Sequence, residues 1–396
     1  MRLSLCMIVK NEAKQLPRCL DSVKAVVDEV IVLDTGSTDE TVAIAQRYGA
    51  KVFHFTWTHN FAAARNESLR YASGDWVLVL DADEVLVSGI VPQLQQAIAH
   101  PTALVVNLVR QEVGAAQSPY SLVSRLFRRH SDICFSRPYH ALIDDSVHSL
   151  LQREPHWQII DWSEVAVLHY GYHPEAIAQR DKLQKAKTTM EGFLAAHPTD
   201  PYVCSKLGAL YVQMGDVPQG IDLLKRGLQC SRNDVPILYE LHYHSGIAYS
   251  QIKDMIQAEH HYQMAIAQPI LERLKLGAYN NLGNLLKAKG ALVEARATYE
   301  TALTIDPTLV TAHYNLGMTL KAMGHMREAI DHYQTAIQLH PNHAEAHQNL
   351  GVVLLKLGRV PESMTAFGRA IALHEQRNPT EAKRLRQTLA EMGFQL

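Results

Sequence analysis

Glycine stands at positions 283, 317 and 351, each 34 residues after the last. The same step links Gly290, Gly324 and Gly358, then Ala302, Ala336 and Ala370, then Tyr299, Tyr333 and Phe367. Pro307 and Pro341 fall in the joints. A fixed period of this length rules out one closed core for the C-terminal half. It demands short units that cannot bury their apolar faces alone and must stack on their neighbours. Two degenerate copies precede these: Gly208, Gly215 and Gly227 mark one, and Gly246, Ala258, Tyr262 and Ala265 the other. Gly208 to Gly246 is 38 residues and Gly246 to Gly283 is 37, which predicts slightly longer joints. We read five units over 201–377 and a C-terminal segment, 378–396, that carries a solvating cap helix from Pro379 to Met392.

The period and residue types resemble the tetratricopeptide repeat, a helix-turn-helix unit that stacks into a superhelix. The small residues would let paired helices approach closely, and the aromatics would fill the gap between units. The resemblance implies a concave surface for a peptide, a protein or a second copy of the chain, so that a homodimer through the repeats is one expectation. A structural spacer is the plainer alternative. The histidines here (His242, His244, His260, His261, His313, His332, His340, His343 and His347) are expected to face the groove or solvent rather than to hold a metal.

The N-terminal half alternates instead. Strands are expected over Leu3–Val9, Glu29–Leu33, Lys51–Phe55 and Trp76–Leu80, and helices over Ala13–Lys24, Glu40–Tyr48 and Ala62–Ala72, with Asn11 as an N-cap. This β-α-β order implies an α/β domain with a mostly parallel sheet and helices on both faces. Ligands bind such sheets at the carboxyl ends of the strands. A polar cluster follows three of these strands: Lys10-Asn11-Glu12, Asp34 to Asp39, and Asp81 to Glu84. In the last, an apolar strand runs straight into three acids. Asp81 and Asp83 would point the same way if strand geometry persists, because side chains alternate. Two convergent carboxylates suit a hard divalent cation that also holds substrate phosphates.

Several classes are excluded or disfavoured. There is no G-x-G-x-x-G and no P-loop, which argues against a dinucleotide dehydrogenase or a P-loop NTPase. The net charge of −2 gives no global attraction to nucleic acid, and none is expected as a partner. The five cysteines lack CxxC spacing, which fits a reducing compartment. No apolar run approaches transmembrane length, so a soluble cytoplasmic protein is expected.

The first 175 or so residues resemble a family-2 glycosyltransferase with the GT-A fold. The resembling stretches are Cys6 to Glu12, Leu33 to Thr41, Trp57, Asn60-Phe61-Ala62, Ala64-Arg65-Asn66 and Leu80 to Glu84. Ser124 to Arg128 and Val167 to Tyr172 complete the ordered set. A transferase followed by tetratricopeptide repeats also resembles bacterial enzymes that glycosylate peptides or proteins. The expected domains are 1–174 for the transferase, 175–200 for a linker helix, 201–377 for the repeats and 378–396 for the cap.

The resemblance implies roles. Lys10, Asn11, Glu12, Asp34 and Thr35 would hold the nucleotide base. Arg65 would approach the base or phosphates, with Arg125 and Arg128 adding positive charge. Asp81 would take ribose or metal, Asp83 the metal, and His169 would complete its shell. The cofactor would be Mn2+ or Mg2+. The donor would be a nucleotide-diphosphate sugar, a UDP-sugar first among them, giving hexosyl-type transfer with inversion to a peptide, protein or glycan acceptor.

The base departs from the family pattern. Relatives often read His-Glu after the Arg-Leu-Phe-Arg segment, whereas here Ala141 holds the glutamate position. Asp144, Asp145, His140 and Glu84 are the substitutes considered. Two competitors follow: a catalytically reduced nucleotide-binding scaffold whose repeats recruit a protein, and a nucleotidyltransferase, which the missing Gly-rich basic loop disfavours.

Overall fold

The computed structural model describes residues 1–115, 118–171, 176–231 and 234–394, and the side chains of 176–182 are not described. The expected linker-helix start at Glu175 and the end of the Val167–Tyr172 stretch lie outside the described residues. The chain forms two compact units, Met1–Ile237 and Leu238–Leu396. Among the described residues no helix is long and apolar enough to cross a membrane.

The first unit is built on one sheet. Its strands are β1 Leu3–Val9, β2 Glu29–Asp34, β3 Lys51–His54, β4 Trp76–Val79, β5 Glu84–Leu86, β6 Ala103–Glu112, β7 Tyr120–Arg128 and β8 Gln158–His169. They lie in the order β3-β2-β1-β4-β7-β6-β8-β5. β1 to β4 pair in parallel. Beyond β4 the sheet is mixed, because β7 returns antiparallel to both β4 and β6 while β6 and β8 run parallel. The expectation of a mostly parallel sheet therefore holds only for the first half.

Helices α1 Leu16–Val23, α2 Thr41–Arg47, α3 Phe61–Leu69, α4 Val91–Ala99 and α5 Asp144–Arg153 flank the strands. Alternation along the strands divides the core. Leu3, Leu5, Met7 and Val9 pack to one side with α1, while Cys6, Ile31, Val77 and Val79 pack to the other with α5. Full burial of each such aliphatic side chain contributes about 1.5–3 kcal/mol. α1 begins at Leu16, not Ala13, and Asn11 is not its N-cap. Asn11 instead adopts a left-handed φ of 56°, and its side-chain oxygen accepts from the Thr38 N–H at 2.7 Å.

Among the described residues, five helix pairs follow α6 (Ala176–Ala196). They are α7 Pro201–Met214 with α8 Val217–Cys230, α9 Val235–Gln251 with α10 Met255–Ile266, and α11 Leu276–Ala288 with α12 Leu292–Ile305. α13 Val310–Met323 with α14 Met326–Leu339, then α15 Ala344–Lys356 with α16 Val360–Arg377, complete the array, and α17 Pro379–Glu391 caps it. A Cβ on Gly283 would lie 2.6 Å from the Tyr299 ring, so glycine is what lets α11 and α12 meet. That aromatic comes from the second helix of the same unit. The aromatics thus fill the inside of each unit rather than the gap between units. Gly324 ends α13 at φ 86°, a conformation that costs other residues strain. Histidines also join helices within units: His242 meets His261 at 2.9 Å and His313 meets His332 at 3.0 Å. These four pair helices within a unit; His261 is buried, and His242, His313 and His332 are half-buried.

Candidate active site

The register of β1 to β3 places Val9 beside Asp34 and Asp34 beside His54, so three strands end at one edge. The loops leaving that edge are tied together. Ser37 Oγ accepts from the Asn11 N–H at 2.9 Å, Thr41 Oγ1 from the Glu12 N–H at 2.7 Å, and Asp39 from the Ala13 N–H at 3.2 Å. Asp34 is buried, and its carboxylate accepts from the Gly36 and Ser37 amides. Burial alone would raise its pKa, but these bonds, with His54, outweigh that and lower it. Thr35 is buried too and donates to the Val9 carbonyl at 3.0 Å. Asp34 and Thr35 therefore shape the turn, and Lys10, Asn11 and Glu12 stand at its open side.

Strand geometry stops at Val79. Ala82 and Asp83 form a turn that closes when the Glu84 N–H donates to the Asp81 carbonyl at 3.0 Å. The expected common direction of Asp81 and Asp83 fails for that reason. Asp81 receives Arg65 at 2.8 Å on one oxygen and Arg125 at 3.1 Å on the other. Desolvation would raise the Asp81 pKa, yet the two guanidinium groups hold it far below the carboxylate range. Two cations on one anion leave surplus positive charge. Each arginine also keeps a buried Nη1 with no hydrogen-bond partner.

Arg125 reaches this spot through a bulge. Val106 pairs with Leu126 and Leu108 with Val123, so Ser124 and Arg125 share one place opposite Asn107. A bulge re-aims side chains, and Ser124 meets Asp144 at 3.3 Å while Arg125 meets Asp81. Arg128, expected alongside Arg125, instead donates to the Ala103 and His100 carbonyls.

A second network holds Asp83. Glu84 is buried; it accepts from the Asp81 N–H at 2.9 Å and from Arg110 at 2.7 Å. Arg110 bridges to Glu112, Glu112 meets His169 Nδ1 at 2.5 Å, and His169 Nε2 lies 3.3 Å from Asp83. Burial would lower the His169 pKa, but the two carboxylates raise it to about 9. The contact needs Gly171, where a Cβ would lie 2.5 Å from His169 Nε2. Glu84, with both oxygens engaged and no solvent access, is a scaffold for the acidic turn and is not placed to deprotonate an acceptor.

Asp83 and His169 thus stand together, whereas Asp81 faces the arginines. Among the described residues no three acidic, histidine or cysteine side chains gather around one point. With its pKa at about 9 the imidazole is a charged partner of Asp83, and it could ligate an ion beside that carboxylate only after losing its proton.

On the far side, α5 starts at Asp144 and Asp145. Asp144 reaches solvent, yet protein surrounds it on most sides, and desolvation raises its pKa. Asp145 is paired with Arg137 at 2.5 Å. His140 is exposed at a left-handed φ of 51°, and Ala141 packs toward the core behind α5. Asn66 bridges the backbone of Phe135 in both directions. Sequence reasoning missed Arg110, Glu112 and Arg137, and gave Gly171, inside the Val167–Tyr172 stretch, no role of its own. Arg110 and Glu112 carried a signal: two charges spaced by 2 on a strand face otherwise made of Leu104, Val106 and Leu108.

Comparison with known proteins agrees with this architecture. Residues 4–160 match Glycosyl transferase family 2. Residues 283–324 match the TPR repeat, and 310–343 and 332–367 match tetratricopeptide repeats. A TPR repeat-containing protein of Synechococcus elongatus is 46% identical over 291 residues, 74% of this chain and 72% of that protein. The SPbeta prophage-derived glycosyltransferase SunS of Bacillus subtilis is 27% identical over 228 residues, 56% of this chain and 52% of its own. Among solved structures, YrrB, a TPR protein with an unusual peptide-binding site, is similar at 16% identity and TM-score 0.41, over 51% of this chain and all of that one. A family 2 transferase sheet at the front and repeat matches behind it settle the lineage: the chain belongs to the family 2 glycosyltransferases that carry tetratricopeptide repeats.

Proposed function

We propose that the chain transfers a sugar from a nucleotide-diphosphate sugar to a peptide, protein or glycan acceptor, with inversion. The observation that carries this is the pair of buried arginines, Arg65 and Arg125, each with an orphan Nη1 beside Asp81. Buried donors without partners are costly, and a diphosphate would supply acceptors for both. The nucleoside would lie along the loops of Lys10 to Glu12 and Asp34-Thr35, as in the UDP-sugar reading. Asp83, with His169 once it has given up its proton, would hold Mn2+ or Mg2+, whose charge offsets that of the departing diphosphate.

Asp144 is the proposed base. Its raised pKa makes it a better proton acceptor than an ordinary surface aspartate, while its neighbour Asp145 is committed to Arg137. As the acceptor attacks the anomeric carbon, its proton passes to Asp144. The bond from that carbon to the diphosphate oxygen breaks, the electron pair stays on that oxygen, and Arg65 and Arg125 stabilise it.

The repeats would bind the acceptor or a second copy of the chain. α11, α13 and α15 support the acceptor role: they carry Lys287, Lys321 and Lys356, and no carboxylate pairs with these lysines among the described residues. The test is a panel of nucleotide sugars with Mn2+, reading nucleoside-diphosphate release and acceptor mass. Release with one donor, lost in Asp83→Ala, supports the proposal. Tight nucleotide binding with no release from any donor, in the presence of extract as acceptor, replaces it with a binding scaffold.

A further inference from the structure

Ser136 and Leu142 exchange backbone hydrogen bonds at 2.8 and 3.2 Å and so close a loop over residues 137–141. Arg137 enters it at φ 69°, a strained conformation for a residue with a side chain. Strain of this kind persists only where the surroundings over-determine it. Here they do. The guanidinium is almost buried, with 9% of the side chain exposed. It pairs with Asp145 at 2.5 Å and with Asp200 through two nitrogens, at 3.2 and 2.9 Å. It also lies over the Tyr202 ring, 5.2 Å from the centroid.

Those partners come from different parts of the chain. Asp145 opens α5, beside Asp144. Asp200 is the N-cap of α7, the first helix of the first repeat, and its other oxygen accepts from the Val203 N–H at 2.8 Å. The loop has a third attachment: the Pro138 carbonyl accepts from the Phe61 N–H at 2.9 Å, at the start of the helix that carries Arg65. Tyr139 then packs against the core of α6 and α7 that holds Met190, Leu194, Val203 and Leu207.

We propose that Arg137 is a positioning residue through which the first repeat fixes the 137–141 loop and, with it, the start of α5. Asp200 holds the guanidinium from the repeat side, and the guanidinium holds Asp145 and the first turn of α5. The carboxylate of Asp145 is then a counter-ion, and Asp144 is presented at a defined place. The first repeat is in this sense part of the transferase site. The catalytic half of this statement rests on the transfer reading given above; the mechanical half does not.

The two halves are tested separately in the full chain, with Arg137→Ala, Arg137→Lys and Asp200→Asn. Asp200→Asn keeps an acceptor for the α7 cap and removes the charge that holds Arg137. Hydrogen exchange reads the mechanical half. Arg137→Ala is expected to raise exchange of the 139–142 amides by about tenfold or more, with β1 to β4 unchanged. Arg137→Lys should recover part of the protection, and Asp200→Asn should fall between. Unchanged exchange at the loop, or a rise spread evenly over the sheet, overturns the proposal.

Turnover of whichever donor the panel identifies reads the catalytic half. Arg137→Ala should lower kcat by up to about 100-fold with the donor KM little changed, since misplacement by an ångström costs that much. A kcat equal to wild type overturns the positioning role. If the wild-type chain turns over no donor, the transfer reading has failed, and the exchange result alone decides the coupling.

Discussion

Single side chains decide where charge sits in this molecule. His169 reaches Asp83 only because position 171 lacks a Cβ. Gly171→Ala should push the imidazole away and lower kcat/KM by about 10–100-fold while the fold survives, which steady-state rates and circular dichroism would check together. The two acids at the start of α5 should separate cleanly. Asp144→Asn is expected to cost about 10²–10⁴-fold in kcat, as for loss of a general base, and the pH–rate profile should lose its acidic limb. Asp145→Asn should cost far less, because a neutral amide still accepts from Arg137. Equal losses in both variants would reject Asp144 as the base. Sequence alone named Asp81, Asp83, Arg65, Arg125 and His169 as candidates, because each closes or follows a strand or occupies a recognisable motif. It could not say which cation faces which anion. That depended on a turn after Val79 and a bulge at Ser124–Arg125, neither of which alters the apolar pattern.

At the scale of elements, periodicity was legible and pairing was not. The 34-residue step revealed the last three helix pairs, since glycine and aromatic recur together there, and the first two showed only as degenerate copies at 38 and 37 residues. Strands β1 to β4 were legible as apolar runs, but the antiparallel return of β7 left no local mark. One buried acid ties the opposite end of these strands. Glu29 is buried, accepting from Ser4 Oγ at 2.6 Å, the Ser73 N–H at 2.6 Å and Lys51 at 2.9 Å. Burial would raise its pKa, but these bonds outweigh it and hold it at about 2, below the ordinary 4.5. A depressed acid stabilises the fold above its unfolded pKa and loses that contribution as pH falls through its folded one. The stabilisation should therefore be complete above pH 4.5 and fade toward pH 2, amounting to about 3 kcal/mol at most. Glu29→Gln should flatten the urea midpoint of the first unit across that window. A midpoint that falls as steeply in the variant as in wild type would show that other acids govern acid unfolding.

Across the whole molecule, the chain's near neutrality hides an uneven distribution of charge. The net charge is −2, yet the first helices of the last three repeats, α11, α13 and α15, carry Lys287, Lys321 and Lys356 with Glu345 as their only acid. α11 packs on α13 and α13 on α15, so these helices form one layer. Burial lowers the pKa of Lys287 and Lys321, and repulsion from Lys321 and Lys356 respectively adds to it. Like charges gathered in one layer without counter-ions favour an acidic occupant. If that occupant is the acceptor, then reversing all three to glutamate should raise the KM for a protein acceptor and leave donor hydrolysis unchanged. The acceptor KM of the wild-type chain should also rise with salt, because added ions shorten the Debye length below the about 8–10 Å of ordinary buffers and weaken attraction between the lysines and acceptor carboxylates. In the charge-reversed chain that salt dependence should vanish or change sign. Unchanged acceptor KM at low salt would assign the lysine layer to another partner, and loss of donor hydrolysis as well would mean that the substitutions had damaged the fold rather than the docking surface.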